Sequence, residues 1–121
     1  MKSILFICLC FLSLSSIASG EDTYKAVCSN CHAAGLNKAP IVGDKKQWGK
    51  LIKEGQAHIT SDAYHGVGAM PPKGGKPELT VAEFASVVVF MANQSGANWK
   101  EPDEAMLKDI NKRIAKKSPK S

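Results

Sequence analysis

Apolar side chains fall in five blocks along the chain, and four of them repeat with helical spacing. The first block, Ile4 to Leu14, is an eleven-residue run broken only by Ser13. It follows Lys2 and leads into the small residues Ser15, Ser16, Ala18, Ser19 and Gly20. Such a run is too short for a permanent membrane span, and the small residues suit a signal peptidase. Behind Asp22 and Thr23, either of which can cap a helix, Tyr24, Val27, Cys28 and Cys31 stand at i, i+3, i+4 and i+7. Asp44-Lys45-Lys46-Gln47 reads as a capping box, followed by Trp48, Leu51 and Ile52 on one face and Gly55 as a stop. Thr80 to Glu83 is a second capping box. Its stripe is Val81, Phe84, Ala85, Val88, Met91 and Ala92, ending near Asn93 to Gly96. Pro102 opens a last helix with Met106, Leu107, Ile110 and Ile114 on one side. Lys108, Lys112, Arg113, Lys116 and Lys117 line the other. No strand-rich alternation appears, so the expected fold class is all-α.

Length and charge refine this picture. The 121 residues suggest one domain, and 44% hydrophobic with 22% charged residues excludes a disordered chain. The leader is expected to be residues 1–20, cleaved after Gly20 to release an exported, periplasmic product of about 100 residues. A helical domain is expected over 21–97, and a Lys-rich helical extension over 98–121. The net charge of +5 falls to about +4 without Lys2. Membrane contact is expected to be peripheral at most, and nucleic acid is not an expected partner.

Export also changes the cysteine arithmetic. Cys8 and Cys10 leave with the leader, and Cys28 and Cys31 remain with only Ser29 and Asn30 between them. A disulfide there closes almost no loop. A thioredoxin-like pair needs a βαβ setting. Zinc needs two further ligands, and His58 and His65 lie outside the usual histidine spacing. Cys28-Ser29-Asn30-Cys31-His32 is instead C-x-x-C-H, the haem c attachment sequence. Two thiols three residues apart share a helix face and can add to the two vinyl groups of one porphyrin. The adjacent His32 can then bind iron as the proximal ligand. Tyr24 and Val27, on the same face, are expected beside the haem or against a partner helix.

The opposite face of the iron is either open or closed by a second side chain. Gly66-Val67-Gly68-Ala69-Met70-Pro71-Pro72-Lys73 is suited to presenting Met70, with glycines permitting unusual angles and prolines stiffening the chain. His65 is the competing ligand and would give a bis-histidine haem of lower potential. Met91 and Met106 read as packing residues, and His58 as a residue after a helix end.

With these motifs in place, the chain resembles class I c-type cytochromes, most closely the bacterial cytochrome c5 group. The resemblance runs from Tyr24 to Gly35, through Ala39-Pro40-Ile41-Val42-Gly43-Asp44 and Trp48, to Ala69-Met70-Pro71-Pro72-Lys73-Gly74. It departs from that group where many members carry a second cysteine pair; here Gly75, Lys76, Pro77 and Glu78 stand instead. The resemblance implies four to five short helices around one covalent haem c, with His32 proximal and Met70 distal on the iron. It implies that the Pro40 carbonyl accepts from the His32 imidazole, that Trp48 lies near the haem, and that the last domain helix crosses the first through Phe84 or Phe90.

A haem iron closed on both sides has no position for substrate, so the chain reads as a single-electron carrier and not an enzyme. The alternatives are a haem-bearing subunit of a larger oxidoreductase, or an open-site peroxidase or gas sensor. The resemblance implies a quinol-oxidising complex and a terminal oxidase or reductase as redox partners. Lys38, Lys73 and Lys76 are candidates for steering toward an acidic docking surface. A core of this size needs its cofactor, and the haem-free chain is expected to be poorly folded.

Overall fold

The computed structural model describes residues 19–117. The apolar leader Ile4–Leu14 and residues 118–121 lie outside the described residues. The elements are α1 (Gly20–Thr23), a π-helical turn (Tyr24–Cys28), α2 (Ser29–His32), a 3-10 turn (Leu36–Lys38), α3 (Lys45–Glu54), α4 (Gln56–His65), a second 3-10 turn (Pro72–Gly75), α5 (Val81–Gln94) and α6 (Glu104–Lys116). The first three run on without a break, so the described chain forms five helical bodies. Its one β-type pairing is the isolated bridge between Val67 and Met70.

The first helical body starts earlier than its sequence suggests. Ser19, not Asp22 or Thr23, is the cap: its hydroxyl accepts from the Asp22 N–H at 3.2 Å and donates to the Asp22 carboxylate at 2.9 Å. Gly20 is buried, and a Cβ there would stand 2.6 Å from the Ser86 carbonyl oxygen of α5. Glycine is therefore what lets α1 and α5 cross. The π turn that follows bonds Ser29 N–H to Tyr24 O, five residues back, which widens the helix and rotates Tyr24 away from the cysteine face.

At α3 the Asp44 carboxylate accepts from the N–H groups of Lys46 and Gln47, both at 3.0 Å. Only half of the expected box forms, because Gln47 Oε1 takes the Ile41 N–H at 2.8 Å instead. Gly55 ends α3 at φ +101, but α4 starts at the next residue. That helix had no apolar stripe to announce it, since Thr60 and Ser61 are buried alongside Ala57 and Ile59. His58 accordingly lies within a helix rather than after one. At α5 the Thr80 side chain caps as expected, Oγ1 accepting from Glu83 N–H at 3.1 Å, but the Glu83 carboxylate takes the Thr80 hydroxyl at 3.0 Å rather than the Thr80 backbone N–H.

Two apolar clusters result. The larger gathers Trp48, Ile59, Leu79, Phe84, Val87, Val88 and Met91. The smaller joins Ala57 and Ala85 to Ile110 of α6, closed by Val81, Met106, Leu107 and Ile114. The linker to α6 is pinned: the Asn93 amide pairs with both backbone groups of Trp99 at 2.8 Å, and Gln56 Nε2 donates to Lys100 O at 3.1 Å. No described helix is long and apolar enough to cross a membrane.

Candidate functional site

The larger cluster encloses a cavity of about 770 Å3, within the roughly 300–1,000 Å3 range of cofactor pockets. Its walls are apolar, from Val27, Leu51, Ile59, Phe84, Val87, Val88 and Met91. Cys28, Cys31, His32, Pro40, Trp48 and Met70 all open onto it. Six of the seven residues singled out from the sequence thus meet at one site. The seventh, Tyr24, does not line the cavity. Turned by the π turn, its ring packs on Phe90 of α5 with centroids 5.5 Å apart. Phe90 therefore makes the crossing contact, while Phe84 lines the cavity and meets Tyr64 edge-on at 6.1 Å.

Cys28 and Cys31 are both free thiols. Burial, with a smaller contribution from Cys31, pushes the Cys28 thiol up to about 11. At pH 7 it is therefore a neutral thiol rather than a reactive thiolate. His32 Nδ1 lies 2.8 Å from the Pro40 carbonyl oxygen. A carbonyl can only accept, so Nδ1 carries the proton and Nε2 keeps its lone pair for a metal. The His32 N-terminal side is fixed by α2, and its carbonyl accepts from Val42 N–H at 2.9 Å, holding the Pro40 segment in place. Trp48 is buried 6.4 Å from the His32 ring, and its Nε1–H has no acceptor among the described residues.

Met70 is presented by a two-residue turn. Met70 N–H donates to Val67 O at 2.8 Å, and Val67 N–H to Met70 O at 3.1 Å. Gly66 precedes it at φ +90, where a Cβ would sit 2.8 Å from Met70 O and 3.0 Å from Pro72 N.

The competing histidines lie elsewhere. His65 is absent from the cavity lining, and its Nε2 is 2.9 Å from the Ile114 carbonyl oxygen of α6. His58 lies between Glu54 (3.8 Å) and Asp62 (3.3 Å), and Asp62 also pairs with Lys117. Neither joins the cysteines as a zinc ligand. Among the lysines, Lys38 and Lys76 are exposed, but Lys73 is not a free surface cation. Its ammonium donates to Pro77 O (3.1 Å) and Leu79 O (3.0 Å) and lies 4.6 Å over the Tyr64 ring. Sequence reasoning missed two lining carboxylates, Glu54 and Asp62, and two rim residues, Leu36 and Val67. These last two are large, apolar and 55% exposed.

Residues 15–91 match the family model described as cytochrome C oxidase, cbb3-type, subunit III. A relative from Chlorobaculum thiosulfatiphilum, cytochrome c-555, is 40% identical over 82 residues, covering 64% of this chain and 95% of its own length. Cytochrome c5 of Azotobacter vinelandii is 40% identical over 76 residues, covering 61% and 92%. A chain in the crystal structure of an electron transfer complex of nitrite reductase with cytochrome c superposes with a TM-score of 0.61 at 34% identity. That match covers 63% of this chain and 93% of the other.

Proposed function

Starting from the fact that the chain belongs to the class I c-type cytochromes, whose members bind haem c covalently through its vinyl groups, we propose that it is a periplasmic single-electron carrier. It holds one haem, with His32 and Met70 as axial ligands. The cavity fits such a group: it is apolar, it exposes two free thiols, and the buried Trp48 N–H lacks the acceptor that a haem carboxylate provides. Bound there, haem c supplies an iron that exchanges one electron between its ferric and ferrous states. Cys28 and Cys31 anchor the porphyrin edge, and the Pro40 carbonyl keeps the His32 ring oriented for ligation. The soft Met70 sulfur favours the ferrous state, and the apolar walls disfavour the extra ferric charge; both raise the potential. Leu36 and Val67 at the rim, with Lys38 exposed nearby in the chain, suit brief contact with an acidic protein partner.

The observation that carries this reading is the convergence of Cys28, Cys31, His32 and Met70 on one cavity. The partners are redox proteins: a quinol-oxidising complex as donor and a terminal oxidase or reductase as acceptor. The structural relative seen in complex with a nitrite reductase supports this class of partner. The export leader supports the periplasm as the location. The oxidised holoprotein is expected to show a sulfur-to-iron charge-transfer band that Met70→Ala abolishes, and a reversible one-electron redox titration. A wild-type protein lacking that band, or binding cyanide as fast as an open-site haem, overturns the ligand assignment.

The family model's description favours one second reading, a haem-bearing subunit of a larger oxidoreductase. Co-purification with a catalytic chain at fixed ratio selects it.

A further inference from the structure

Helix α4 is buried on two sides. Ile59 and Ala63 line the cavity, while Ala57 packs with Ala85 and the fully buried Ile110 of α6. The two helices are also tied at their ends. His65, the last residue of α4, places Nε2 2.9 Å from the carbonyl oxygen of Ile114 in the last turn of α6. The carbonyl can only accept, so Nε2 donates. Lys117, just past α6, pairs with Asp62 on α4. Immediately after His65 comes Gly66, pressed against the Met70 carbonyl, and then the turn that presents Met70. Helix α6 lies wholly beyond the residues matched by the family model, so it is an addition to the common core.

We infer that α6 is a strap that positions the distal ligand: by holding His65 through the Ile114 carbonyl it fixes the end of α4 from which the Gly66–Met70 turn departs, and so holds the thioether on the iron. This rests on Met70 being the sixth ligand. His65 is a positioning residue: it does not line the cavity, and its ring nitrogen is spent on the Ile114 carbonyl. An outside ligand binds only the fraction of molecules whose methionine has left, so its apparent affinity reports how firmly the turn is held. One net neutral hydrogen bond lost from the end of α4 raises that fraction about fivefold.

The test is titration of the full-length ferric holoprotein with imidazole, alongside thermal melts followed at the sulfur-to-iron band and by far-UV circular dichroism. A wild-type protein without the band overturns the ligand assignment itself, and with it the strap. With the band present, His65→Ala is expected to bind imidazole about fivefold more tightly and to lose the band well below its unfolding temperature. His65→Gln, whose amide can donate to the same carbonyl, is expected to restore both. The mild core variant Ile110→Val is expected to shift imidazole binding in the same direction by a smaller factor, and serves if His65→Ala does not fold. Unchanged imidazole affinity in a folded His65→Ala or Ile110→Val overturns the inference. So does a loss of band that merely tracks global unfolding and is not rescued by glutamine.

Discussion

Replacing Gly66 by alanine places a methyl group where the backbone of the distal turn already stands. At φ +90 and ψ 147, a region essentially open to glycine alone, an L-residue is strained, at a cost of roughly 1–3 kcal/mol. The new Cβ would lie 2.8 Å from Met70 O, 3.0 Å from Pro72 N and 3.2 Å from Pro71 C. All three are backbone atoms, so relief requires the turn itself to move, which costs a further ~1–3 kcal/mol. Together these give about 2–6 kcal/mol, a large share of the ~5–15 kcal/mol that holds a domain folded. Gly68 is the control. It has φ +55, but a Cβ there meets nothing within 4 Å, so Gly68→Ala should cost only the backbone contribution of about 1 kcal/mol. Urea unfolding of the two holoproteins by far-UV circular dichroism measures both. The expected result is a lower midpoint for Gly66→Ala with an unchanged slope. Equal losses for the two variants, or a loss below ~1 kcal/mol at Gly66, would refute the argument from the close approach.

Other outcomes follow from the same contacts. Ile110→Ala should lower stability by roughly 2–5 kcal/mol, because its side chain is fully buried against Ala57 of α4 and Ala85 of α5; a urea midpoint close to wild type would contradict that packing. Trp48→Phe should destabilise the holoprotein by about 1.5–3 kcal/mol, if a haem carboxylate accepts the indole N–H. A neutral or stabilising effect in thermal melts would mean that the N–H stays unpaired when haem is bound. Lys73→Ala should cost ~1 kcal/mol of stability, as its ammonium holds two carbonyls and the Tyr64 face. Lys76→Ala should instead leave the melt unchanged and weaken only the salt-dependent rate of electron transfer, measured by stopped flow with a redox partner.

The parts of the fold most legible in the sequence were those with local chemistry of their own. α5 combines a threonine cap with a continuous apolar stripe, and both are present at Thr80 and Val81 to Ala92. The convergence of Cys28, Cys31 and His32 on one cavity was legible from their spacing, and the turn before Met70 from its glycines. α4 was not legible because it is a shared wall. Its buried positions include Thr60 and Ser61 as well as Ala57 and Ile59, so burial on both sides erased the one-sided pattern that marks a surface helix. A ten-residue segment free of breakers between Gly55 and Gly66 was the one available sign. Tyr24 took the second of its two expected places, against a partner helix, and residue spacing could not choose between them because the π turn adds rotation that no pattern of apolar residues encodes. Lys73 illustrates a different gap. Charge alone suggested a solvated cation, whereas its carbonyl partners come from Pro77 and Leu79, residues with no side-chain signal for the contact.

The tight seat of Gly20 would bear on any proteolytic removal of the segment before it. A signal peptidase acting here would want small side chains beside its scissile bond, and the α1–α5 crossing wants a residue without a Cβ at the same place, so both demands would fall on the same glycine. Trimming behind Gly20 would discard both the Ser19 hydroxyl and this contact, and would leave a charged ammonium on Glu21 at the positive pole of the helix. Trimming behind Ala18 would keep both residues. Two proteins differing by a dipeptide at their first residue would therefore differ in how firmly their opening helix is seated.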